Sequence, residues 1–209
     1  GLANHTLANC GTNITGMTSG NYLWNCLFFD EKGNGIFAGS NFSLMIGGIF
    51  VNLLLPLNGN YTNINETNFS CSALTETGRI LSNMTFYLWN STSLIFNETK
   101  SISGISNTSV FNYTFGYDNN YKWNCLGVNN ASNSSFGDAN FTIVFDTSAP
   151  QISPISPAEG YSATGTTTIL FEYNVSDNFN LSRCDLILNG VNAASNSSLI
   201  NGGVNNISY

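Results

Sequence analysis

Asn120-Tyr121-Lys122-Trp123-Asn124-Cys125 is a strand by its chemistry, with aromatic residues at alternate positions and a cysteine completing the series. Side chains alternate across a strand, so Tyr121, Trp123 and Cys125 face one side, toward a core, and Lys122 faces away. Burial of rings this large contributes a few kcal/mol each. The phrase also stands 99 residues earlier as Asn21-Tyr22-Leu23-Trp24-Asn25-Cys26. The offset holds on both sides, since Asn13-Ile14-Thr15 matches Asn112-Tyr113-Thr114 and Asn41-Phe42-Ser43 matches Asn140-Phe141-Thr142. A second register, offset by 100, carries Leu81-Ser82 and Leu88 to Leu181-Ser182 and Leu188. A unit of about a hundred residues therefore repeats, the size of one small domain.

Between the two phrases, short runs rich in Phe, Tyr, Ile, Val and Thr alternate with clusters of Asn, Gly and Ser, and no segment has apolar residues at helical spacing. Strands are predicted at 49–55, 68–73, 83–89, 94–99, 109–115, 121–128 and 140–145. Seven short antiparallel strands in a hundred residues is the count of an immunoglobulin-like β-sandwich. Cys71 falls in the second strand and Cys125 in the sixth, the pair that an inter-sheet disulfide joins in such a sandwich. The most apolar stretch, Leu44 to Leu57, is too short to span a bilayer and is broken by Gly47-Gly48, Asn52 and Pro56. It reads as one strand, a turn and the next strand.

Only 8% of the 209 residues are charged, against about 25% in an ordinary globular chain. The net charge of −7 comes from 12 acids and 5 bases, and Lys32, Arg79, Lys100, Lys122 and Arg183 are too scattered for a nucleic-acid-binding stripe. Polarity comes instead from Asn, Ser and Thr. Eighteen asparagines stand in the N-glycosylation acceptor pattern: Asn4, Asn13, Asn41, Asn60, Asn65, Asn68, Asn83, Asn90, Asn97, Asn107, Asn112, Asn130, Asn133, Asn140, Asn174, Asn180, Asn196 and Asn206. An Asn- and Ser/Thr-rich chain makes some such triplets by chance. So many acceptors beside so few charges nevertheless point to an extracellular or cell-surface chain made soluble by sugar. The five cysteines agree with export: Cys10, Cys26, Cys71, Cys125 and Cys184 form no Cys-x-x-Cys pair, so disulfides are expected rather than zinc. The odd number leaves at least one thiol free or paired with another chain.

The chain resembles the immunoglobulin-like repeats of archaeal cell-surface proteins. Pro56-Leu57-Asn58-Gly59 resembles their first-strand turn, Phe69-Ser70-Cys71-Ser72-Ala73 their second strand and Tyr87-Leu88-Trp89-Asn90-Ser91-Thr92 their third. Tyr121-Lys122-Trp123-Asn124-Cys125 and Asp146-Thr147-Ser148-Ala149-Pro150 are similar to the sixth strand and the junction between modules. Pro157-Ala158-Glu159-Gly160 and Tyr173-Asn174-Val175-Ser176-Asp177 then open another copy. That copy departs from the pattern: it has Tyr173 where the first has Cys71, and it gains Cys184 on its third strand. Its disulfide must be wired differently.

The fold expected is all-β, with one complete sandwich over 49–146 and two complementary half-modules. Residues 1–48 read as the C-terminal half of a module and 147–209 as the N-terminal half. Each half alone would expose an apolar face and an unpaired edge. The functional expectation is a structural subunit of a glycosylated extracellular filament, in which copies join head-to-tail by strand complementation. Residues 1–11 are a candidate donor segment, and Cys26 or Cys10 a candidate partner for Cys184 of the neighbour. The alternative is a piece of a long tandem surface adhesin or stalk protein touching other cells or surfaces. No cofactor other than covalent N-linked glycans is expected, and no nucleic acid or membrane span.

Catalytic chemistry finds little support. His5 is the one histidine and lies inside an acceptor triplet, too few for a hydrolase triad or a histidine-rich metal site. Asp30-Glu31-Lys32-Gly33-Asn34 reads as a hairpin turn. Asp146 and Asp177 are oxygen donors of the type calcium takes, without the dense acidic cluster such a site needs. The chain is read as a non-enzyme.

Overall fold

The computed structural model describes residues 14–17, 20–165 and 168–209. The expectations placed on residues 1–11, including Asn4, His5 and Cys10, and on Asn13 lie outside the described residues. The described residues are all-β. In chain order the strands are β1 (Gly20–Trp24), β2 (Leu27–Phe29), β3 (Gly35–Phe37), β4 (Phe42–Ile46), β5 (Ile49–Leu55), β6 (Asn60–Thr62), β7 (Glu66–Thr75), β8 (Leu81–Trp89) and β9 (Leu94–Ser101). They continue as β10 (Ser106–Thr114), β11 (Asn119–Asn129), β12 (Ser134–Phe136), β13 (Phe141–Phe145), β14 (Gln151–Ser156), β15 (Leu170–Ser176), β16 (Cys184–Leu188), β17 (Val191–Asn196) and β18 (Gly203–Ser208).

The chain divides into two compact units. The first holds the described residues up to Asn60 with Glu66–Thr114 and Asn120–Val144, and the second holds Tyr61–Asn65, Phe115–Asn119 and Phe145–Tyr209. The first unit contains a three-stranded sheet ordered β10-β7-β5, while a larger sheet is ordered β6-β13-β11-β8-β9 with β12 alongside β11. Alternation along β7, β8 and β11 sends Phe69, Phe86, Tyr121 and Trp123 into a common interior where all four are fully buried. Phe69 meets Phe86 with ring centroids 4.7 Å apart and Trp123 edge-on at 5.2 Å. This is a sandwich-like core. The expected disulfide is present: Cys71 of β7 joins Cys125 of β11, with Cα atoms 6.5 Å apart. Closing that 54-residue separation is worth roughly 4 kcal/mol in the chain-entropy account.

Between Ile49 and Phe145 the structure has nine strands where seven were expected. The additions, β6 and β12, are three residues each and carry no alternation long enough to read. Ahead of β5, four strands form two antiparallel pairs, β1 with β4 and β2 with β3. The apolar run from Leu44 resolves as expected into the end of β4, the Gly47-Gly48 turn with both glycines at positive φ, and β5.

The second unit contains a sheet ordered β14-β15-β18 and the pair β16-β17. One buried cluster of this unit is Tyr173, Val175 and Ile207, with Leu181, Cys184, Leu186, Ala194 and Leu199 packed against them, and Phe115 and Phe145 are buried as a stacked pair. The sheet repeats the register of β5, β7 and β10. Leu53 pairs with Cys71 just before a shift to Leu55 and Ser70, and Pro154 pairs with Tyr173 just before the same shift to Ser156 and Glu172. Phe111 lies opposite Phe69 as Ile207 lies opposite Phe171. The register puts Tyr173 at the station of Cys71, as the sequence alignment of the copies requires.

Candidate functional site

The repeated Trp-Asn-Cys phrase builds one local structure twice. In β11, Asn124 Nδ2 donates to Gly137 O at 3.1 Å and to Asn140 Oδ1 at 2.9 Å, and its Oδ1 accepts the backbone N–H of Cys125 at 2.7 Å. Ninety-nine residues earlier, Asn25 Nδ2 donates to Ala38 O at 3.1 Å and to Asn41 Oδ1 at 2.8 Å, and its Oδ1 accepts the N–H of Cys26 at 2.7 Å. The hairpins agree too. Leu126, Gly127 and Val128 pair with Phe136, Ser135 and Ser134 as Leu27, Phe28 and Phe29 pair with Phe37, Ile36 and Gly35. In the turns, Asn129 Oδ1 accepts the N–H groups of Ala131 and Asn133, and Asp30 Oδ1 those of Lys32 and Asn34. The acidic run at Asp30 is thus the hairpin turn the sequence suggested. The side-chain amide and backbone N–H of Asn34 hold the Asp30 carboxyl below its ordinary value.

The two copies differ in what covers them. Trp123 is fully buried, whereas Trp24 is 50% exposed and stacks on Phe42, at 5.3 Å. Phe28 and Phe42 are about half exposed, and Leu44 stands 40% open where its counterpart Ile143 is fully buried. The N-terminal strands carry a core-type face with no core over it among the described residues.

A complementary feature lies within the second unit. Ile152 and Pro154 of β14, Phe171 and Tyr173 of β15, Leu186 of β16 and Ile207 of β18 line a mostly apolar groove of about 220 Å³. Among the described residues β16 pairs with β17 alone. The Cys184 thiol is free and half-buried, beside the Tyr173 hydroxyl. Burial, aided by that thiol, pushes the Tyr173 phenol above its ordinary value.

The acceptor asparagines sort by exposure. Among those described, Asn83, Asn90, Asn107 and Asn196 are half-buried and the rest are exposed. The buried asparagines are Asn124, Asn129 and Asn205, and none of them heads an acceptor triplet. Asn41 and Asn140 enter the clamps as acceptors through Oδ1, so Nδ2, the atom a glycan occupies, stays out of that bond. Asn112 and Asn196 instead use Nδ2 as a donor to two partners each.

Asp118, Asp146 and Asp177 each accept hydrogen bonds. Asp118 accepts hydrogen bonds from the Ser148 hydroxyl at 2.6 Å and the Thr147 hydroxyl at 2.8 Å, which, with the Thr147 N–H, lower its carboxyl to about 2. Asp146 and Asp177 accept the N–H groups of Ser148 and Phe179. Among the described residues no group of three or more His, Cys, Asp and Glu side chains could hold a metal ion. Comparison with protein-family models gave no match, and neither did comparison with curated proteins.

Proposed function

We propose that this chain is a structural subunit of a glycosylated extracellular filament, built of immunoglobulin-like modules that copies complete for one another by strand complementation. The observation that carries the reading is the repeated register: β1 to β4 copy the clamp, hairpin and turn of β11 to β13, yet leave Trp24, Phe28, Phe42 and Leu44 open to solvent. Strands of this kind bind where a sandwich lacks them. The two facing sheets, β5-β7-β10 and one containing β13-β11-β8-β9, bridged by Cys71–Cys125, support the immunoglobulin-like reading, and the register of β14, β15 and β18, which matches β5, β7 and β10, supports a second copy of its opening strands. A head-to-tail contact that does not close into a ring gives a filament. The absence of a buried acceptor asparagine among those described supports glycan-borne solubility. Covalent locking through Cys184 and Cys26 or Cys10 of a neighbour belongs to the same reading.

Native material examined by electron microscopy, intact-mass measurement and non-reducing electrophoresis tests it. Filaments are expected, with sugar mass above the 22.5 kDa polypeptide and a ladder that collapses on reduction. A chain that stays monomeric at every concentration would sink the proposal. A native polypeptide carrying many further modules would favour the tandem adhesin or stalk.

A further inference from the structure

We infer that the groove between β14, β15 and β16 receives Trp24 of a second copy, whose β1 and β2 run along the open edge of β16. The inference rests on the filament reading and adds to it the contact residues and their register.

The complete sandwich supplies the template. There β11 lies antiparallel to β8, with Trp123 opposite Leu88, Cys125 opposite Phe86 and Gly127 opposite Met84. The 99- and 100-residue offsets carry these pairs to Trp24 with Leu188, Cys26 with Leu186, and Phe28 with Cys184. Trp123 packs edge-on against Phe69, whose counterpart by register is Phe171, and Phe171 lines the groove. The groove therefore opens at the station where a sixth-strand tryptophan belongs.

Volumes argue for the pairing, because residues exchange size across it. Gly127 has no room to grow: a Cβ there would stand 3.0 Å from Val51 Cγ2 and 3.1 Å from Ile49 Cγ2. Its counterpart is the much larger Phe28; the long Met84 paired with it becomes the small Cys184, while Val51 and Ala73 become the larger Ile152 and Val175. Gly137 is crowded in the same way, where a Cβ would lie 3.2 Å from Leu53. Its counterpart Ala38 does carry a Cβ, and the counterpart of Leu53 is Pro154, a shorter ring. At the Met84 and Leu53 stations, large-to-small meets small-to-large on the other side, which helps two surfaces keep a common packing volume.

The exposed area fits an interface between copies. Trp24, Phe28, Phe42 and Leu44 are each about half exposed. Rings and branched chains of this size offer roughly 100 Å² each in that state, about 400 Å² together. That is near half of the roughly 800 Å² one side of a standard interface buries, before the strands' own backbone is counted.

The test uses the whole chain and follows assembly by light scattering. Trp24→Ala should raise the concentration needed for assembly about thirty-fold, as loss of a central aromatic anchor does, while Trp24→Phe stays within about five-fold of the parent. Phe171→Ala should weaken assembly in the same direction. Because Trp24 is half exposed, the alanine variant is expected to keep its far-ultraviolet circular dichroism and its Cys71–Cys125 bond. Tryptophan emission of the parent should move to shorter wavelength as concentration rises, and that shift should vanish in Trp24→Ala. If the parent polymerises and both alanine variants polymerise equally well, the docking is overturned while the filament stands. If the emission shift is present at all concentrations, Trp24 is buried within its own chain and the docking is again overturned. A parent that never assembles removes the filament reading itself, and this inference with it.

Discussion

Asn124 sits on the face of β11 that alternation assigns to solvent, yet only 3% of it is exposed. Its amide closes four hydrogen bonds, to the backbone of Cys125, twice to Gly137, and to the Asn140 side chain. Replacement by alanine would take that acceptor from the buried N–H of Cys125, at about 1–3 kcal/mol for an orphaned group before relaxation, while the Gly137 N–H keeps the Cys125 carbonyl at 3.2 Å. Asn124→Ala is expected to lower stability by about 1–3 kcal/mol in urea titration, and Asn25→Ala by less than about 1 kcal/mol, because water can replace an exposed partner. Equal losses would show that the clamp does not depend on burial. The repeated phrase made Asn124 conspicuous, and the burial of Tyr121, Trp123 and Cys125 and the exposure of Lys122 follow the alternation. The burial of Asn124 does not, because it depends on Gly137, thirteen residues away, folding back over the strand. The indole N–H of buried Trp123 has no acceptor among the described residues, and nothing in its surroundings explains that.

At the scale of elements, the long strands β5, β7, β8, β10 and β11 were legible because each runs for seven residues or more. The short β6 and β12 owe their extended form to partners rather than to their own pattern. Loops were less legible still, since their order depends on side chains distant in sequence. Asp118, in the β10–β11 loop, binds Thr147 and Ser148 some thirty residues on, and nothing in the triplet Tyr117-Asp118-Asn119 announces it. The bonded carboxylate has its pKa lowered from 3.8 to about 2. A group with a depressed folded value adds stability above its unfolded pKa and loses it as pH falls through the folded one. Parent protein should therefore lose stability between about pH 4 and pH 2 in a component that Asp118→Asn lacks. Thermal melts across that range check it, and coincident profiles would mean the three hydrogen bonds do not persist in solution. Because the site is exposed, the difference should be small.

At the scale of the molecule, the two units are unequal in the core they own. The first buries Phe69, Phe86, Phe111, Tyr121 and Trp123 and carries the disulfide. The second buries Tyr173, Val175 and Ile207 and the stacked pair Phe115 and Phe145, and has an open apolar groove beside Tyr173 and Ile207. Burial of a large side chain contributes roughly 1.5–3 kcal/mol, so a core this small offsets little of the chain entropy that folding costs. Calorimetry of dilute protein is expected to show two transitions, with the second unit melting first. Reduction of Cys71–Cys125, or the double change Cys71→Ala and Cys125→Ala, should lower only the upper transition, by about 4 kcal/mol on the loop-entropy scale. Anything that binds the folded second unit and not its unfolded form raises the lower transition by mass action. If a second copy fills the groove, that transition must climb with protein concentration while the upper one stays fixed, and Trp24→Ala must abolish the climb. A lower transition indifferent to concentration would instead mean that the unit's own buried residues suffice. The second unit would then be a self-sufficient fold rather than one that a neighbour completes.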